Sequence, residues 1–159
     1  MEECPYSIAE LLPHAGRMVL LDRVRGFSDN ALEADVRVRR DNPFFERERG
    51  VAAHIAIEWM AQACGAFAGL QAKRDGLPVR IGFLLGTRSF KSQKAWFAED
   101  AQLVVRAELV FRDGETGVFD CTLRDSETLA QAQLTLYQPS DLAAVLASQG
   151  IDATTLDKQ

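Results

Sequence analysis

The stretch Val51–Lys73 does most to limit what this chain can become. It is rich in Ala, Met, Gln and Leu, too long for a strand, and apolar nearly all round. A helix with no solvated face has to be enclosed by protein. It would be a poor bilayer helix, because Val51–Leu70 still contains His54, Glu58 and Gln62. Asp75-Gly76-Leu77-Pro78 ends it. The chain has 159 residues, 47% of them apolar and 26% charged. That is material for one soluble domain, so whatever encloses the helix comes from the same core.

The flanking segments read as strands. Ser7 caps a short helical turn through Leu12, which Pro13 stops. Met18–Phe27 reads as a strand, Ser28-Asp29-Asn30 as a turn. Leu32, Ala34, Val36 and Val38 then alternate with charged residues, completing a hairpin. Asp41–Gly50 breaks the pattern as a loop. After the helix, Arg80–Trp96 reads as one long strand region interrupted by Gly82 and Gly86. A strand over Leu103–Phe111 follows, with a turn at Asp113-Gly114. Phe119–Leu123 and Ala130–Leu136 alternate as two further strands, and Ser140–Ser148 forms a last short helix before Gly150 and a polar tail. A hairpin, one enclosed helix and three or four more antiparallel strands need a curved sheet wrapped around the helix. The expectation is an α+β hotdog domain over residues 1–159, with its core at about 10–138 and a C-terminal helix and tail at 139–159.

Other classes are disfavoured. A net charge of -5 argues against nucleic-acid binding, which needs a basic face. Cys4, Cys64 and Cys121 are scattered, without metal-ligand spacing or a disulfide framework. No residue set calls for a metal, nucleotide or flavin, so no cofactor is expected. Met1-Glu2-Glu3-Cys4-Pro5 is acidic and does not read as a signal peptide, which points to the cytoplasm.

The chemistry centres on the polar residues of the helix. His54, Glu58 and Gln62 fall at i, i+4 and i+8, along one stripe. A carboxylate on a buried helix is costly unless paired, hydrogen-bonded or protonated. Two readings stand: His54 and Glu58 are a helix-stabilising pair, or they line a cavity. In the second, N–H groups of Val51, Ala52 and Ala53 at the helix start polarise a bound carbonyl. Gln62 reads as a structural hydrogen-bonder, reaching across a subunit contact, and His14 as a loop histidine in a supporting role.

Several segments resemble a known family. Leu12-Pro13-His14 followed by Met18-Val19-Leu20-Leu21-Asp22-Arg23-Val24 resembles the opening of the 3-hydroxyacyl-acyl-carrier-protein dehydratases of the FabZ/FabA type. Asn42-Pro43-Phe44-Phe45 resembles the family's loop before the active site, and Glu58-Trp59-Met60-Ala61-Gln62-Ala63 its central-helix signature E-x-M-A-Q-A. Gly82-Phe83 through Phe90-Lys91 and Asp100-Ala101-Gln102-Leu103 are similar to its later strands. The resemblance spans about residues 10–137 and is greatest to the ApeP-like branch, linked to aryl-polyene-type biosynthesis. It implies dehydration of a 3-hydroxyacyl thioester to a trans-2-enoyl thioester, with Glu58 as the acid. The family's catalytic His lies in an H-F-P-G loop, where this chain has Glu46-Arg47-Glu48-Arg49-Gly50-Val51. His54 is then the expected base, from four residues upstream of Glu58.

Two rivals remain: thioester hydrolysis with Glu58 as base or nucleophile, and a non-catalytic subunit partnering an active dehydratase. The implied partner is an acidic acyl carrier protein or an acyl thioester, met by Arg47, Arg49, Arg80, Arg88, Lys91 and Lys94. Edge-to-edge sheet pairing implies at least a homodimer, without nucleic acid or membrane. Phe83, Leu85, Met60 and Phe67 either line an acyl tunnel or belong to the core.

Overall fold

The computed structural model describes residues 1–150, so the last nine residues of the expected tail lie outside the described residues. The elements are α1 (Ile8–Leu11), β1 (Arg23–Phe27), β2 (Ala31–Arg37), β3 (Phe45–Glu46), β4 (Gly50–Ala52), α2 (Ala56–Arg74), β5 (Phe83–Ser92), β6 (Trp96–Phe97), β7 (Gln102–Asp113), β8 (Thr116–Arg124), β9 (Thr128–Tyr137) and α3 (Leu142–Ser148). Six strands form one sheet in the order β1-β2-β7-β8-β9-β5, every pairing antiparallel. Its inner face wraps α2.

Alternation decides which side chains turn inward. Ala107, Cys121 and Ala132 lie side by side on β7, β8 and β9, all buried against the helix. From α2, Trp59, Met60, Ala63, Phe67 and Leu70 fill the space opposite. Phe67 packs edge-on against Phe119 at 5.9 Å, and Trp59 tilts on Phe97 at 5.6 Å. Met60 and Phe67 are therefore core. Phe83 is half-buried and Leu85 is exposed on β5.

Several boundaries differ from the sequence reading, and Arg80–Trp96, expected as one strand region, divides into β5 in the large sheet and β6 in a small one. The strand expected from Met18 begins at Arg23, and a 3₁₀ turn covers Gly16–Met18 instead. The segment is drawn away from the sheet because Gln62 on α2 takes up the backbone of Met18 and Leu20. Within the expected loop 41–50, Phe45–Glu46 pairs with β4, which also pairs with β6 in a second small sheet. The helix expected from Val51 starts at Ala56, because Val51 and Ala52 belong to β4 and Ala53–Ile55 form a 3₁₀ turn. None of the helices in the described residues is long and apolar enough to cross a membrane.

Candidate active site

Along α2, Glu58, Ala61, Gly65 and Ala68 recur at helical spacing and line one cavity. The three small residues leave a trough, and a cavity of about 280 Å³ lies in it. Leu84, Gly117, Phe119 and Leu136 close it from the sheet. These four stand at the inner ends of β5, β8 and β9, where Leu136 lies beside both Gly117 and Leu84. The far wall is Pro13 and His14, in the segment between α1 and the 3₁₀ turn. A trough whose helix side is lined by small apolar residues, with the His14 imidazole and the Glu58 carboxylate both in its lining, is suited to acid–base chemistry on a small apolar substrate.

His14 and Glu58 are electrically coupled across this cavity. Protein packed around the imidazole pushes the His14 pKa below its ordinary value, while the negative charge of Glu58 works in the opposite direction. The result favours a neutral ring at physiological pH, the form that accepts a proton. Both side chains keep an exposed edge, so a ligand entering the trough meets them directly.

At the other end of the cavity stand Arg80, Arg112 and Glu115. Arg112 donates to the side-chain oxygen of Gln71 at 3.1 Å. Hydrogen bonds from Ser140 hold the Glu115 carboxyl below the usual carboxylate range, with a smaller contribution from the Arg80 charge.

The structure separates the residues that the sequence groups together. Glu58 lines the cavity; His54 does not. His54 sits on the 3₁₀ turn, exposed, with no hydrogen bond or ion pair to Glu58 among the described residues. The i, i+4 stripe fails there because a 3₁₀ turn advances three residues per turn, which rotates His54 off the face that Glu58 occupies. Val51, Ala52 and Ala53 are not free helix-terminal donors either. Val51 is flanked by Phe45 and Phe97 in the small sheet, and the Ala53 N–H donates to the Ala95 carbonyl at 2.9 Å. Gln62 is buried and bonds within its own chain.

Of the expected carrier contacts, Arg47, Arg49, Arg88, Lys91 and Lys94 are exposed and away from the cavity, with Arg49 stacked over Trp96 at 5.3 Å. Arg80 lines it. Arg112, Glu115 and Gln138 are polar wall residues absent from the sequence reading, and Arg112 is the cation among them. Its inward aim follows from strand parity, since it pairs with Gly117 beyond the irregularity between Leu109 and Phe111. Among the described residues no three His, Cys, Asp or Glu side chains converge as a metal site would require.

The model of the ApeP-like family, described as ApeP dehydratase, matches residues 6–147. A chain of the dehydratase heterocomplex ApeI:P from Xenorhabdus doucetiae is 30% identical, with a TM-score of 0.83, covering 89% of this chain and 97% of that one. A hypothetical thioesterase with coenzyme A from Streptococcus pneumoniae shares the fold at 15% identity and a TM-score of 0.58, over 74% of this chain and 84% of its own. The E. coli PaaI protein from the phenylacetic acid degradation operon does so at 12% identity and a TM-score of 0.56, over 72% and 80%. Among curated proteins none matches. With the helix-in-sheet architecture of the hotdog fold and a family match over nearly its whole length, this chain belongs to the ApeP-like dehydratase family.

Proposed function

We propose that this chain dehydrates a 3-hydroxyacyl thioester, carried by an acyl carrier protein, to the trans-2-enoyl thioester, in cytoplasmic fatty-acid or aryl-polyene-like synthesis. The observation that carries this reading is that His14 and Glu58 line one cavity beside Ala61, Gly65 and Ala68. The acyl chain lies along Ala61, Gly65 and Ala68. Neutral His14 removes a proton from C2, and that electron pair forms the C2=C3 double bond as the C3–O bond breaks. Glu58 passes a proton to the departing hydroxyl, which leaves as water, and the proton on His14 then returns Glu58 to its starting form.

His54 is the alternative base, acting from outside the trough. The deciding experiment is hydration of a short trans-2-enoyl thioester, followed by loss of enone absorbance, in the wild type and in His14→Ala, His54→Ala and Glu58→Gln. Loss in His14→Ala and Glu58→Gln with activity kept in His54→Ala supports the assignment. The reverse pattern for the two histidines moves the base to His54. Free thiol released without enoyl chemistry would make the chain a thioesterase.

An acidic carrier docks on local cations, since the net charge of -5 opposes approach elsewhere. Arg47, Arg49, Arg88 and Lys91 offer such groups. The chain pairs as a homodimer through the outer edge of β5. A second reading is favoured by the heterocomplex in which the 30% identical relative was solved: this chain is a subunit that completes another hotdog dehydratase. Activity that arises only on mixing with such a partner would select it.

A further inference from the structure

The segment that presents His14 belongs to no regular element beyond its 3₁₀ turn. Between the end of α1 and Asp22, four hydrogen bonds among the described residues tie it to the rest of the molecule. Two come from the exposed Arg17 side chain to the Asp41 carbonyl, at 3.2 and 3.0 Å. The other two belong to one side chain, Gln62. Its Nε2 donates to the Met18 carbonyl at 2.6 Å and its Oε1 accepts from the Leu20 N–H at 2.9 Å. Gln62 is 4% exposed, the single buried polar or charged side chain among the described residues.

We infer that Gln62 is a positioning residue, whose paired hydrogen bonds fix the Met18–Leu20 backbone to α2 and thereby hold His14 across the trough from Glu58. Glu58 and Gln62 are four residues apart, one turn along the same helix. The carboxylate and the clamp that sets its imidazole partner are therefore fixed to one rigid rod. A primary amide is the side chain this task requires, because it offers a donor and an acceptor at once to a backbone that has left the sheet. An aliphatic residue of equal size leaves the Met18 carbonyl and the Leu20 N–H without partners and releases the segment. Apolar contacts of Leu11, Leu12, Leu20 and Leu21 keep the segment attached, so its loosening is local.

This inference rests on the His14–Glu58 reading of the site, and its test has a readout that does not depend on turnover. The variants are Gln62→Met and Gln62→Leu, each of which removes both bonds at similar volume without adding a charge to the cavity lining. The charged groups sharing the cavity with His14 are Glu58 from α2, Arg80 ahead of β5, and Arg112 and Glu115 from the β7–β8 hairpin. None of them changes in either variant. The His14 imidazole signal is followed by NMR against pH in the wild type and in whichever variants fold.

The expected result in Gln62→Met is a His14 titration displaced upward, toward the ordinary imidazole value, as the ring leaves its packed position. With it, kcat falls about 100-fold, the scale of a 1 Å misplacement, while KM changes little. Gln62→Leu displaces the titration in the same direction. A folded variant with lower thermal stability but unchanged His14 titration and kcat would make Gln62 a purely structural residue and overturn the inference. A displaced titration in a protein whose wild type shows no dehydratase activity would leave the clamp standing and defeat only the proposed reaction.

Discussion

The α-carbon of Gly69 faces the Leu11 carbonyl oxygen where α1 crosses α2, so closely that a Cβ there would overlap it. Gly69→Ala should therefore lose about 2–3 kcal/mol in urea unfolding, despite the roughly 1 kcal/mol by which alanine is the better helix former. Gly65 gives the contrast. A Cβ there meets Leu12 Cδ2 at 3.4 Å, an ordinary contact, and Gly65 lines the trough. Gly65→Ala should fold as well as the wild type or better while raising KM for long acyl thioesters.

The chain has two histidines, so its imidazole titrations are separable by NMR. His14 should titrate below 6.5, because protein packed around it disfavours the charged ring more than Glu58 favours it. Glu58→Gln removes the one favourable charge, and the His14 midpoint should fall further. The sign carries over to stability. With its pKa lower in the folded chain than in the unfolded one, His14 makes the unfolded state bind protons more readily just below pH 6.5, so stability falls as pH drops through that window. His14→Gln should flatten this slope. If stability rose with acidification there, the packing around His14 would be misread.

Glu33 lies on the sheet face away from α2, with its side chain 15% exposed. Arg124 holds both its oxygens, at 3.0 Å each, and Arg106 adds a contact at 3.3 Å, linking β2, β7 and β8. The Arg124 hydrogen bonds are the main cause of a lowered Glu33 pKa, burial acting against them. Glu33→Gln should cost about 1–2 kcal/mol at pH 7. Its contribution is present above pH 4.5 and is lost as pH falls through the lowered native value, so the difference between mutant and wild type should shrink in acid.

Much of the fold was legible because burial and strand period agree. Ala34 and Val36, Val105 and Ala107, Cys121 and Leu123, and Ala132 and Leu134 all turn inward as their alternation predicts. The place of Glu58 in the cavity lining was legible for a related reason, as a carboxylate on a helix otherwise made for burial. The place of His54 was not legible, because helical spacing was extended upstream through Ala53–Ile55, which form a 3₁₀ turn after β4. His14 could not be paired with Glu58 from local spacing. The two are 44 residues apart, and what unites them is a side-chain clamp on backbone that carries no periodic signal. The Leu12-Pro13-His14 opening was the available hint.

Cys64 and Cys121 bring their sulfurs within 3.6 Å, joining α2 to β8 inside the core. Both are buried, and desolvation pushes the Cys64 thiol well above its ordinary value, with the Cys121 thiol adding to the effect. Little thiolate is therefore present at neutral pH. Under native conditions iodoacetamide should label Cys4 first, with Cys64 and Cys121 reacting only as urea unfolds the chain. Rapid native labelling of Cys64, read by peptide mass spectrometry, would mean that the trough opens to its floor.

The two edges of the six-stranded sheet differ, and the difference predicts which one pairs. On β1 the outer edge is bridged by Glu2, whose N–H donates to the Phe27 carbonyl at 2.8 Å and whose carbonyl accepts from the Phe27 N–H at 3.0 Å. On β5 one side pairs with β9 and the other is open along ten residues, with Leu84 41% and Leu85 60% exposed. An open edge of that length with two exposed leucines is a pairing site. Leu85 does not line the trough, so Leu85→Lys tests pairing without altering the cavity wall. The wild type should elute with the mass of a dimer at micromolar concentration by light scattering, and Leu85→Lys should shift toward monomer as salt is lowered, since like charges then meet across the two-fold axis with less screening. A wild-type mass equal to one chain, or a Leu85→Lys mass unchanged at every salt concentration, would remove β5 as the interface.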